Sequence, residues 1–124
     1  MFLNWNEYRS DLLATIGKFA KLKPEFMKGF QQMDKGASEN KHLDPKTHEL
    51  IALAVAVTTR CDGCLAVHVD AAVKHGATRE EIAEALAVAI NLNTGAALTY
   101  TARALDVYDN LPNKEALDGP LWAV

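Results

Sequence analysis

Asp44-Pro45-Lys46-Thr47-His48-Glu49-Leu50-Ile51-Ala52-Leu53-Ala54-Val55-Ala56-Val57-Thr58-Thr59-Arg60-Cys61-Asp62-Gly63-Cys64-Leu65-Ala66-Val67-His68 is the stretch whose reading decides the fold. Asp44 offers an acceptor to the unpaired N–H groups of a helix start, and Pro45 fits the first turn, where no N–H is required. Leu50 to Val57 is apolar without interruption, so a helix here has no polar face and is expected to be buried all round. The valines would suit a strand, but the interleaved alanines and the start signal decide for a helix to about Thr59. Another helix begins around Cys61–Cys64 and stops at Gly76, a residue suited to the left-handed turn that closes a helix. The chain must turn near Arg60, which predicts an antiparallel helix hairpin.

Outward from this hairpin the pattern stays helical. Tyr8, Leu12, Leu13, Ile16, Phe19 and Ala20 recur at helical spacing and predict a first helix over about Trp5 to Lys21. Pro24 opens a second, to about Asp34, with Phe26, Met27 and Phe30 as its apolar face; Gly36 to Lys41 reads as a polar loop. Thr78 and Glu81 form a capping box that opens a fifth helix, to about Leu92. A sixth is expected after Gly95, ending by Asn110 ahead of Pro112. The tail from Asn113 to Val124 either docks or is mobile. No segment reads as a convincing strand, and no repeat is visible. The expectation is an all-α, compact six-helix domain with a central antiparallel hairpin, occupying 1–124 as a single domain with its core over about 44–110.

There are 20 alanines, mostly in the last four of these helices, and small side chains let helix axes approach closely. The third, fifth and sixth helices carry more apolar face than a monomer of this size hides easily. A closed homo-oligomer is therefore expected. A net charge of −3 with scattered Lys and Arg gives no footprint for nucleic acid or an anionic membrane. The Lys18–Lys23 stretch reads as a solvated helix face. Met1 to Trp5 lacks the pattern of a signal peptide, and the Leu50–Val57 run falls far short of the ~20 residues of a bilayer span. The expected location is the cytoplasm. In that reducing compartment, two cysteines three positions apart are more readily catalytic or metal-binding than a structural staple.

Glu49-x11-Cys61-x2-Cys64-x3-His68 carries the chemistry. Cys61 and Cys64 lie about a turn apart at a helix start, close enough to bridge. His68, four residues after Cys64, faces the same way. The hairpin brings Glu49 to a comparable distance from the turn, so it can meet the same cluster. Partial positive charge and unpaired N–H groups at a helix N-terminus favour a thiolate. A thiol of pKa ~8.5 is only about 3% ionised at neutral pH; lowering it by ~2 units makes roughly three-quarters of it thiolate. His68 can hold or relay the proton, and Glu49 can orient its ring. Such a thiolate attacks a peroxide oxygen, becomes a sulfenic acid and condenses with its neighbour into a Cys61–Cys64 disulfide.

Other readings compete. The two cysteines and His68 supply three zinc ligands, with an open fourth position or His42, His48 or His75 to complete a metal-binding or redox-sensing site. A c-type haem would need histidine where Leu65 stands, and a thioredoxin fold would need βαβ units; both readings fail. Glu49 alone would pass as a surface carboxylate, and Arg60 as a cation at a helix C-terminus. His42, His48 and His75 read as exposed and incidental. Met27, Met33, Phe19, Phe26 and Phe30 read as core or interface residues.

The same four-residue pattern, with helices on either side, resembles the core of the AhpD-like alkyl hydroperoxidases in the carboxymuconolactone decarboxylase superfamily. The similarity covers roughly Asp44 to Asn110. It implies an all-α fold and a lipoyl-dependent peroxidase using no bound cofactor or metal, its electrons arriving from an external dithiol such as a lipoylated partner protein. Cys64 resembles the peroxidatic cysteine that becomes the sulfenic acid, and Cys61 the resolving thiol and proton donor. His68 and Glu49 match the proton-relay residues. Short members of the family assemble as hexamers built from dimers, a trimer being the alternative here. Gly63 departs from the pattern, standing where the hydroperoxidases carry a histidine beside the second cysteine. The superfamily's lactone decarboxylases lack the cysteine pair, so its presence here weighs against decarboxylation, which stands as the alternative activity.

Overall fold

The computed structural model describes residues 1–39 and 41–112. The 113–124 tail, expected to dock or move, lies outside the described residues. Within them the chain forms five α-helices and no strand: α1 (Trp5–Leu22), α2 (Pro24–Ala37), α3 (Pro45–Thr59), α4 (Asp62–Lys74) and α5 (Arg79–Asp109). The all-α class is as expected, but the count of six is not. α5 runs through Gly95 without a break. A glycine in a helix interior costs only about 1 kcal/mol relative to alanine, and the alanine- and leucine-rich turns around it outweigh that. α2 also passes its expected end at Asp34 and closes at Ser38, whose Oγ donates to the Asp34 carbonyl at 2.8 Å.

The caps follow the sequence signals. The Asp44 carboxylate accepts the Thr47 N–H at 2.7 Å, and Pro45 takes the first position of α3. Asn4 plays the same part for α1, accepting from the Glu7 N–H. Thr78 and Glu81 cap each other at the start of α5, at 3.1 and 3.4 Å. Glu81 also pairs with Lys46 at 3.1 Å, tying the first turn of α5 to that of α3. Gly76, at φ 87°, follows α4 as the sequence suggests.

α3 and α4 form the central hairpin, joined through Arg60 and Cys61. Arg60 adopts the left-handed conformation (φ 53°, ψ 50°), and both its N–H and that of Cys61 return to the Ala56 carbonyl. This is the glycine position of a helix-closing turn, occupied by arginine. The core is small: Leu53, Ala72 and Ala77 are buried, with Leu50, Leu65, Ile82 and Leu86 packed around them. α1 lies along α4, where Arg9 donates to the Ala66 carbonyl at 3.3 Å and faces Asp70 at 3.8 Å.

All-round burial of α3 is not met within the chain. Leu53 and Ala56 are buried, but Ile51 is 49% and Val55 57% exposed, because α3 meets α4 with one face only. The aromatic face of α2 is likewise open: Phe26 and Met33 are each 66% exposed. The chain divides into two compact units, Met1–Ile90 and a second starting at Asn91. In the second, Leu92, Leu98, Leu105 and Val107 are all more than half exposed.

Candidate active site

Cys61 is the N-cap of α4. Its extended backbone (φ −100°, ψ 97°) leaves its carbonyl to accept the Leu65 N–H, and its Sγ accepts the Cys64 N–H at 3.2 Å. The sulfur thus takes the place that a serine or aspartate oxygen fills at other helix starts. Its N–H simultaneously closes α3, so one residue ends one helix and opens the next. Cys61 and Cys64 are joined in a disulfide, their Cα atoms 5.2 Å apart. The pair is redox-capable by geometry.

Across the hairpin, Glu49 on α3 meets His68 on α4, with Oε2 2.7 Å from Nδ1. Both side chains are partly buried, Glu49 at 20% exposure and His68 at 36%. A carboxylate only accepts hydrogen bonds, so Nδ1 carries the hydrogen and Nε2 of a neutral ring keeps its lone pair. The structure thus forms two contact pairs, Cys61–Cys64 and Glu49–His68. Helix register links them: His68 stands four residues after Cys64, on the same face of α4. A disulfide that can take up two electrons and an imidazole that can carry a proton occupy neighbouring turns.

Of the other histidines, His48 adjoins Glu49 in α3 and is half-buried rather than exposed, while His42 and His75 are exposed as expected. His75 caps the end of α4 through its backbone. Among the described residues no group of three or more His, Cys, Asp or Glu is arranged to hold a metal ion. Two residues beside the site escaped the sequence reading. Leu12, legible only as part of an apolar stripe, rests on Gly63: a Cβ there would lie 2.6 Å from Leu12 Cδ2. Arg9 anchors the same helix one turn earlier. No local pattern pairs residues so far apart, so no sequence signal pointed to them.

Residues 24–107 match the sequence profile of the carboxymuconolactone decarboxylase family. An uncharacterized protein of Haemophilus influenzae is 49% identical over 108 residues, covering 87% of this chain and 96% of that protein. Another, described as uncharacterized protein 4 in the cox locus of Paracoccus denitrificans, is 36% identical over 98 residues, 79% of this chain and 88% of its own. Among solved structures, the apo form of a carboxymuconolactone decarboxylase family protein from Legionella pneumophila superposes with a TM-score of 0.69. It is 39% identical and covers 85% of this chain and 94% of its own. A Methanobacterium thermoautotrophicum protein gives a TM-score of 0.65 at 33% identity, covering 70% of this chain and 97% of its own. The chain belongs to the AhpD-like/carboxymuconolactone decarboxylase superfamily.

Proposed function

We propose that this protein is a thiol-dependent alkyl hydroperoxide reductase of the AhpD-like kind. The observation that carries the reading is the Cys61–Cys64 disulfide at the N-terminus of α4, with the Glu49–His68 hydrogen bond one turn further along. In the reduced protein the Cys64 thiolate attacks the terminal oxygen of a hydroperoxide. The O–O bond breaks, Cys64 becomes a sulfenic acid, and the departing alkoxide takes a proton. Cys61 supplies that proton, and the imidazole of His68, held by Glu49, relays it. The Cys61 sulfur then displaces hydroxide from the sulfenic acid, forming the disulfide. An external dithiol, such as a lipoyl group on a partner protein, restores both thiols with two electrons.

The family match runs across the division between the two compact units, which supports reading 1–124 as one working domain. The exposed apolar faces of α2, α3 and α5 support assembly of several copies, a hexamer or a trimer. The dithiol chemistry suits a reducing cytoplasm.

The test is hydroperoxide consumption with dihydrolipoamide as reductant. Wild type turns over, Cys64→Ser is inactive, and His68→Ala loses about 10²-fold, the low end of general acid–base contributions. Lactone decarboxylation that survives Cys64→Ser, with no peroxide consumed by wild type, would transfer the assignment to the decarboxylase reading.

A further inference from the structure

The N–H groups of a helix's first turn have no partners within the helix, so that turn depends on its cap and its neighbours. Here that turn carries both cysteines. α1 is seated against it from the side that carries Gly63. Arg9 grips α4 at Ala66 and Asp70, and one turn along α1, Leu12 lies on Gly63. Gly63 does not take a positive φ, so its backbone does not call for glycine. What marks the position is the contact: a Cβ there would meet Leu12 Cδ2, the free end of a flexible side chain, and would displace it from the turn. Gly63 thus lies between the two cysteines at the point where α1 touches the first turn of α4, and glycine weakens that turn.

We propose that Leu12 is a positioning residue for the cysteine pair, holding the Asp62–Cys64 turn through Gly63 so that the two sulfurs stay within bonding reach. The inference rests on the redox reading of Cys61 and Cys64. Seating the turn raises the effective concentration of one thiol at the other and so favours the disulfide over the dithiol. Releasing it favours the dithiol.

The experiment is equilibration of the full-length protein with reduced and oxidised dithiothreitol, read by alkylating the free thiols. The exchange balances without peroxide: the disulfide takes two electrons and two protons from the dithiol, which closes to its own cyclic disulfide. Leu12→Ala is expected to move the equilibrium about tenfold toward the reduced protein, about 30 mV for this two-electron couple. Gly63→Ala, which pushes Leu12 off the turn, moves it the same way. Leu12→Met keeps the contact and stays near wild type. Leu13→Ala, on the neighbouring position that is 55% exposed, leaves the equilibrium unchanged. An unmoved equilibrium in both Leu12→Ala and Gly63→Ala overturns the proposal, as does an equal shift in Leu13→Ala. Because no peroxide is present, the shift can appear in a protein that reduces no peroxide, and peroxidase activity can accompany a flat result; the two readings fail separately.

Discussion

Cys61 serves two helices at once, and the consequences are local. Its N–H ends α3, its sulfur caps α4, and the left-handed Arg60 before it absorbs the change of direction. The Cys61–Cys64 and Glu49–His68 contacts were legible because helical spacing and one short turn suffice to bring the members of each pair together. Arg60 was legible only as a cation, since nothing local announces an arginine where glycine usually sits. Gly63, the departure from the hydroperoxidase pattern, is where Leu12 touches α4, a contact that no sequence pattern supplied. Asp44 governs the helix that presents Glu49, and it yields a prediction in pH. Its carboxyl is held below its ordinary value of 3.8, first by the Thr47 backbone N–H and then by the Thr47 side chain. A depressed carboxylate stabilises the fold above its unfolded pKa and ceases to do so as pH falls through the folded one. Thermal unfolding followed by circular dichroism should show stability falling below pH 3.8, and falling less in Asp44→Asn, which keeps a capping oxygen without the charge. Identical acid profiles for the two proteins would contradict this. Asp70, lowered by its hydrogen bond with Lys74 and then by Arg9, contributes in the same direction.

At the scale of elements, the starts of helices were easier to read than their ends. Asp44-Pro45 and the Thr78–Glu81 box located α3 and α5, because capping is decided by residues in immediate succession. Gly95 misled, because a glycine stops a helix only where the chain beyond it has somewhere else to go. Here Asn91 to Asp109 continues in the same helix, with no proline to interrupt it. Gly95 meets nothing within 4 Å that a Cβ would strike. Gly95→Ala should therefore raise the free energy of unfolding by about 0.5–1 kcal/mol in a denaturant titration. A loss of stability would mean that the position needs glycine for a close approach.

For the whole molecule, the expectation of apolar excess is answered by the faces that the single chain leaves open. Ile51 and Val55 on α3, Phe26 and Met33 on α2, and Leu98 and Leu105 on α5 are all roughly half exposed or more. α5 is long and apolar enough, by length and composition, to cross a membrane, whereas the proposed assembly would cover its apolar residues with other copies of the chain. Light scattering coupled to size exclusion should give a mass several times the 13.5 kDa of one chain, reduced by the paired change Leu98→Glu and Leu105→Glu on one face of α5. A wild-type mass of one chain would contradict the assembly. The catalytic account rests on a narrower point, that Cys64 is the sulfur that peroxide oxidises. Reduced Cys61→Ser protein, exposed to one equivalent of hydroperoxide with dimedone present and mapped by mass spectrometry, tests it most directly. The expected result is a sulfenic acid adduct on Cys64; an unmodified Cys64, with peroxide left unconsumed, would contradict it.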